Sequence, residues 1–405
     1  MKIRTRYNFI LDGLTKKYIK NIWKALFFST KDDLKELENW FVNECKKKNI
    51  LLTNSGRSAL YLLLKALKRK SINENVVMPG FSCIVVSNSI IAAGFQVKYV
   101  DIDTKTLSCS LADIHRQVDK NTAAIIVQHV FGFVDENIPT IRKLYPNIKI
   151  IEDCAHGLGG KFSDGSALGS KGDYAFYSFE QSKTITAWNG GLAALNCDTI
   201  FKRINIEAKK FKTESFIDDL LIFFRIWLNL KFLNYKNIFL GRIIFRILEK
   251  FFLFKPGMSK AEIRGNFETS KVRKMSFRKA KFLNIQLKSL NQNISHRRKL
   301  ARLYEKYLNS SIKITKNSSI LRYPFFVNDK DKTLLNAYKN GLDLGRWFST
   351  PLHPALIANN KFYYVDGSCP KAESICKSIV NLPVSPKYNK QDVKNICKIF
   401  NDSLI

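Results

Sequence analysis

The chain has 405 residues, 45% of them hydrophobic and 25% charged, the composition of a folded globular protein long enough for one large core with a smaller unit beside it. Its 67 Lys and Arg against 34 Asp and Glu leave a net charge of +33, which favours anionic partners such as phosphorylated substrates or an acidic membrane surface. The charge is spread along the chain and is not gathered into a basic block with interleaved aromatics, which argues against a nucleic-acid binder.

Residues 1–45 are expected to form an N-terminal helical segment, with Ser29-Thr-Lys-Asp-Asp-Leu34 as a helix start. Next, Ile50-Leu-Leu52 reads as a short strand running into Asn54-Ser-Gly-Arg57, and an apolar-periodic helix follows. Strand, small polar turn and helix N-terminus make an anion cradle, although an ordinary capped helix has the same pattern. Asn75-Val-Val-Met78 is a strand stopped by Pro79-Gly80, followed by a helix at 87–93 and a strand at 96–100. Ala123-Ala-Ile-Ile-Val-Gln128 leads to His129 and Gly132, and Lys149-Ile-Ile151 and Tyr174-Ala-Phe176 continue the series. Short apolar strands alternating with helices predict an α/β fold with a mainly parallel sheet wrapped by helices. The expected organisation is a large domain at 46–270 and a smaller C-terminal α+β domain at 271–405.

From about residue 200 the texture changes. Residues 216–254 are dense in Phe, Ile and Leu, punctuated by Arg225, Lys231, Lys236, Arg242, Arg246 and Lys250 at helical spacings. This reads either as a basic amphipathic segment lying on an acidic membrane or on a partner, or as helices buried at a subunit or domain interface. Residues 271–308 read as a basic helical stretch, and Asn381-Leu-Pro-Val-Ser-Pro386 precedes a final amphipathic helix at 390–400. Eight cysteines lie scattered with no C-x-x-C pair, a pattern of free thiols in a reducing compartment without a structural metal site. No signal-peptide core and no charge-free run of about 20 residues is present, so the expected location is cytoplasmic.

In parallel sheets ligands sit beyond the carboxyl ends of the strands. Ser55-Gly56, Asp153, Ser178 and Lys183 all fall there by this reading. A lysine that captures a carbonyl as a Schiff base is the usual tether of pyridoxal 5'-phosphate, which also needs a carboxylate at its pyridinium nitrogen and a seat for its phosphate. Asp153 meets the second need, Ser55, Gly56 and Arg57 with Ser178 meet the third, and Lys183 is the tether.

The ordered set Asn54-Ser-Gly-Arg-Ser-Ala-Leu60, Val100-Asp-Ile-Asp103, His129-Val-Phe-Gly132, Glu152-Asp-Cys-Ala-His156, Ser178-Phe-Glu-Gln-Ser-Lys183 and Gly190-Gly191 resembles the DegT/StrS-type aminotransferases, fold-type-I pyridoxal-phosphate enzymes that act mostly on nucleotide-linked keto-sugars. The resemblance runs from about residue 50 to the end. It implies a homodimer that moves an amino group, with glutamate as the expected donor, to such a sugar in surface-polysaccharide or glycoconjugate synthesis. Lys183 and Asp153 would be the catalytic pair, and His156 would lie near the cofactor's phenolic oxygen. Asn189 and His353 would face the substrate, the latter from the small domain. The chain departs from the family at three places. Cys83, in Phe81-Ser-Cys83, stands where an aromatic usually stacks on the cofactor. Ala187-Trp-Asn189 replaces the usual Thr-Gly-Glu. Lys271-Val-Arg-Lys274 stands where the second subunit normally offers an asparagine. A sugar dehydratase would carry histidine at Lys183. A non-catalytic binding protein of the same fold would have no need of the Lys183 and Asp153 pair.

Overall fold

The computed structural model describes residues 11–69, 74–232, 258–308, 312, 314–342, 344–355 and 362–401. The predicted insertion at about 215–254 therefore falls within the described residues only as far as 232.

The first half of the chain lays down β1 (Asn49–Thr53), β2 (Asn75–Pro79), β3 (Ser82–Cys83), β4 (Gln96–Val100), β5 (Thr122–Gln128), β6 (Lys149–Asp153), β7 (Tyr174–Ser178) and β8 (Gly191–Leu195). All except β3 join one seven-stranded sheet in the order β1-β8-β7-β6-β5-β2-β4. The pairs from β7 through β6, β5 and β2 to β4 are parallel, whereas β8 is antiparallel to both β1 and β7. Six strands thus point one way, and β8 alone starts at the end where the others finish.

Alternation along each strand feeds two cores. Val76, Met78, Ile126 and Ile151 face one side, where the helices Gly56–Leu67 and Ile84–Ala92 pack; Val77, Ile125, Val127 and Ile150 face the other. The second side is covered by the helices Ile19–Phe27, Asp32–Cys45 and Phe277–Leu287, through residues such as Ala25, Phe41 and Phe282. With both faces covered, the strands carry apolar residues on both sides, as a parallel sheet requires. The N-terminal stretch is part of this body. Leu11 N–H donates to the Gln181 carbonyl at 2.6 Å, and a Cβ on Gly13 would stand 2.1 Å from the Thr184 carbonyl oxygen. Only glycine lets the chain pass that close to the Lys183 loop.

In the C-terminal part, β9 (Tyr323–Phe326) pairs antiparallel with β11 (Ile379–Leu382), alongside the helices Leu290–Leu308, Lys330–Lys339, Pro370–Ser378 and Lys390–Asn401. A separate short ladder ties this part to the segment after β2: β10 (Leu352–His353) runs parallel to β3 and sets His353 opposite Cys83.

Two features differ from the sequence reading. The stretch 271–308 is not one helix. Lys274 is extended and bridges both Thr53 and Thr213. Ser276 then caps a new helix by accepting the Lys279 N–H at 3.2 Å, and a separate helix begins at Leu290. The strand β8 was also not foreseen, because Gly191-Leu-Ala-Ala-Leu195 carries none of the β-branched or aromatic residues that mark a strand.

Candidate active site

Asp153 ends β6 and is 4% exposed. Its Oδ1 accepts the Ala155 N–H at 2.9 Å, which orients the carboxyl and leaves Oδ2 for a second partner. Burial pushes this carboxyl up to about 6, a rise opposed by the Ala155 N–H and the Lys183 charge. Lys183 follows β7 across a turn closed by its own N–H on the Glu180 carbonyl at 2.9 Å. Burial holds the Lys183 amine below the ordinary lysine range, against the pull of Glu180, Cys83 and Asp153. A larger share of neutral amine, and hence of nucleophile, results.

The anion seat is built by close backbone approach. Ser55 caps the helix Gly56–Leu67, its Oγ accepting the Ser58 N–H at 3.2 Å. A Cβ on Gly56 would meet the Ser178 Cβ at 3.0 Å, and one on Gly191 would stand 2.2 Å from the Gly56 nitrogen. Glycine at both positions brings the helix start, the end of β7 and the start of β8 together, so the positive end of that helix lies at this junction. Ser178 Oγ accepts the Glu180 N–H at 3.4 Å. The Arg57 guanidinium is engaged with Glu262, Nη1 to Oε1 at 2.5 Å, so its clearest contribution to the seat is its backbone N–H.

His156 lies among stacked rings. Its Nδ1 accepts the Phe131 N–H at 3.1 Å, which leaves Nε2 as the proton donor. Burial, with Lys183 and Arg322 nearby, holds the imidazole well below its usual range and therefore neutral at pH 7. The Trp347 ring is nearly parallel to it, at 8° and 5.2 Å between centroids. Lys183 Nζ stands 5.0 Å from the centre of the same indole, and the Arg322 guanidinium lies 3.5 Å from it. Three functional groups thus surround one aromatic platform from the C-terminal part. Cys83 is half-buried with its thiol pushed up by burial, and Phe81 is packed into the core against Phe131 and Phe348. His353, Cys83's ladder partner, has Ser349 Oγ at 2.9 Å from its Nδ1. Burial lowers its pKa to about 4.

Arg322 and Trp347 escaped the sequence reading, and Phe131 entered it only as part of His129-Val-Phe-Gly132, with no role assigned. The one available signal was that Trp347-Phe348 immediately precedes Ser349-Thr-Pro-Leu-His353.

Asn189 sits in a buried ionic network. Lys279, fully buried, binds both Asn189 Oδ1 and Glu214 Oε1, and Asn189 Nδ2 donates to Glu214 Oε1 at 3.3 Å. Beside it a cavity of about 380 Å³ is lined by Ser55, Arg57, Trp188, Gly190 and Arg225 among others. Trp188 holds a left-handed φ of +74°, and its indole carries the Arg225 guanidinium at 4.1 Å. The inserted helix Phe216–Phe232 therefore forms one wall beside the anion seat. Lys279→Met is expected to destabilise the protein by about 3–5 kcal/mol, because Glu214 would be left buried without its counter-charge. Urea unfolding measures this, and an unchanged midpoint would refute the network's structural weight.

His129, Glu152 and Cys154 also lie together. His129 Nε2 is 3.1 Å from Glu152 Oε2, His129 Nδ1 accepts the Asp135 N–H, and the Glu152 carboxylate accepts the Gly169 and Gly172 N–H groups. These bonds occupy the imidazole and the carboxylate, which brace the turn after β6 as structural groups. All eight cysteines are free thiols.

The geometry fits pyridoxal phosphate: a carboxylate, an amine and a backbone anion seat converge at one end of the sheet, where glycines remove the side chains that would fill it. Comparison with known proteins agrees. The chain is 25% identical to GDP-perosamine synthase of Escherichia coli O157:H7 over 412 residues, covering 99% of each. It is 23% identical to dTDP-3-amino-3,6-dideoxy-alpha-D-galactopyranose transaminase of Aneurinibacillus thermoaerophilus, covering 99% of this chain and 97% of the relative. Among solved structures, DesV of S. venezuelae in complex with a ketimine intermediate superposes with TM-score 0.76 at 17% identity, over 98% of each chain. Sugar aminotransferase CalS13 of Micromonospora echinospora superposes with TM-score 0.73 at 16% identity, over 99% of this chain and 100% of the other; both show the shared fold. A model of the DegT/DnrJ/EryC1/StrS aminotransferase family matches residues 11–215 and 249–401. The chain belongs to that family and is a pyridoxal-phosphate-dependent aminotransferase.

Proposed function

We propose that this aminotransferase moves an amino group from an amino-acid donor, glutamate in our reading, to a keto-sugar carried on a nucleotide. The observation that carries the proposal is the meeting of Asp153, Lys183 and the Ser55-Gly56 seat at one sheet end, in a chain whose full-length relatives are named for GDP- and dTDP-linked amino sugars. The bound cofactor supplies an electron sink for a negative charge developing on the substrate's α-carbon. Asp153 would hold the pyridinium proton through Oδ2. Gly56 and Arg57 N–H groups, with the Ser55 and Ser178 hydroxyls, would bind the phosphate. Lys183 would be the cofactor's tether, its amine kept partly neutral by burial, and would take up and return a proton at the substrate's α-carbon. His156, with Nδ1 occupied by the Phe131 N–H, would donate from Nε2 to the cofactor's phenolic oxygen. His353, Trp347 and Arg322 would form the substrate side, with Asn189 at the far end beside the cavity.

A cytoplasmic homodimer is part of the same reading, as is peripheral contact of the 216–254 insertion with a membrane; among the described residues, no helix is long and apolar enough to cross one. The test is incubation with glutamate and a panel of nucleotide-linked keto-sugars. One 2-oxoglutarate is expected per amino sugar formed. If the protein takes up pyridoxal phosphate but aminates none of the panel, the substrate class is wrong while the enzyme class stands.

A further inference from the structure

The helices Ile19–Phe27 and Phe216–Phe232 pack against each other on the outside of the molecule, and their rings join into one row. Phe27 stacks on Trp23 at 6.3 Å, Trp23 meets Trp227 at 6.2 Å, and Trp227 stacks on Phe224 at 5.8 Å. The ends of the row are open: Phe27 is 60% exposed and Phe224 37%, with Phe28, next to Phe27 in the chain, at 74%. Large apolar side chains at such exposure are common singly, but a continuous row shared by two helices marks an interaction surface.

The charges around the row identify its partner. Between residues 16 and 31 the chain carries Lys16, Lys17, Lys20, Lys24 and Lys31, all exposed, and no acid. Lys231 lies over the Trp227 ring at 4.7 Å. The nearest exposed acids in sequence are Asp32, paired with Lys35, and Asp218, held by Ser215 at the far end of the inserted helix. A second copy of this chain across a two-fold axis would set these lysines against their own images, so the row is poorly made for self-association. Aromatic rings flanked by lysines on one face match the boundary layer of an anionic bilayer, where rings sit at the headgroup level and lysines meet lipid phosphates.

We propose that the row Phe27-Trp23-Trp227-Phe224, with Phe28 and the lysines of 16–31, docks the enzyme peripherally on an anionic lipid surface. This deepens the membrane reading of the insertion by adding the N-terminal helix, which that reading did not include. It does not depend on the sugar substrate. The full-length protein, loaded with cofactor, is floated with phosphatidylcholine vesicles with or without about 30% phosphatidylglycerol at about 0.1 M salt, near which surface charges are screened over about 10 Å. The wild type is expected to float with the anionic vesicles and to remain at the bottom with the neutral ones. Phe27→Ser/Phe28→Ser/Phe224→Ser, and separately Lys20→Gln/Lys24→Gln, are expected to lower the bound-to-free ratio at least about tenfold, with turnover of soluble substrate unchanged as the check on folding. A wild type that stays at the bottom overturns the proposal, as do variants that float undiminished. A triple variant that instead changes the sedimentation coefficient from dimer to monomer also overturns it, assigning the row to a contact between copies.

Discussion

Lys183→Ala is expected to lower transamination by about 10⁴-fold or more and to abolish the visible absorbance band of lysine-bound cofactor, because in the proposed mechanism one side chain is both tether and proton carrier. Lys183→Arg should be nearly as inactive. It keeps the positive charge and much of the length, but a guanidinium stays protonated and cannot attack a carbonyl. The loss should be chemical and not structural. Burial lowers the amine's pKa, so the folded state binds this proton less readily than the unfolded chain. The lysine therefore costs stability below its folded pKa, and the cost fades as pH rises through that value. Cofactor-free Lys183→Ala at pH 7 should melt no earlier than the wild type, a comparison scanning calorimetry makes directly. Activity within about tenfold of wild type, or an intact band, would remove Lys183 from the tether role.

The residues at the two ends of the candidate cofactor seat were legible for a physical reason. Asp153 and Lys183 each follow a short apolar strand, and βα alternation fixes the direction of such strands, so the sheet end they reach could be read before any contact was known. Ser55-Gly56 was legible in the same way, since a strand, a capping serine and a helix are all local in sequence. The antiparallel β8 was not. Its register is set by its partners β1 and β7, and its Gly191 serves the close approach to Gly56, a position where strand propensity carries no signal.

The substrate side was the least legible part. Trp347 lies just before β10, whose two-residue ladder with β3 has no periodicity to detect, and Arg322 follows Leu321, whose N–H reaches the Phe131 carbonyl far away in sequence. His353 was picked out by resemblance alone; the ladder now places it beside Cys83. Arg57 was read as a ligand for the phosphate, yet Glu262, far away in sequence, takes up its side chain. The inserted helix shows the same limit at larger scale. Its apolar and basic pattern was plain in the sequence, but only packing shows that one face sends Arg225 onto Trp188 beside the seat while Phe224 and Trp227 join the N-terminal helix.

Asp153→Asn should move stability and turnover in opposite directions. In the cofactor-free protein the carboxyl is buried and its pKa is about 6, against an ordinary 3.8. A shift of that size corresponds to about 3 kcal/mol. The folded state binds the proton more tightly, so stability falls as pH rises from about 4 to about 6 and is level above. Asparagine has nearly the same shape and keeps an Oδ1 for the Ala155 N–H, but it carries no charge. The cofactor-free variant should therefore be more stable than wild type at pH 7, by up to about 3 kcal/mol, and should lose that advantage near pH 4. Turnover should fall by roughly 10²–10³-fold, because an amide cannot hold the pyridinium proton on which the electron sink depends. Adding pyridoxal phosphate should raise the melting temperature of the wild type more than that of the variant, since only the wild type then gains a counter-charge for the buried carboxylate. Melting curves at pH 4 and pH 7, with and without cofactor, read all of these effects. If the cofactor-free variant melts below wild type at pH 7, Asp153 is held by partners other than those seen here; if it retains full turnover, the pyridinium nitrogen is paired elsewhere.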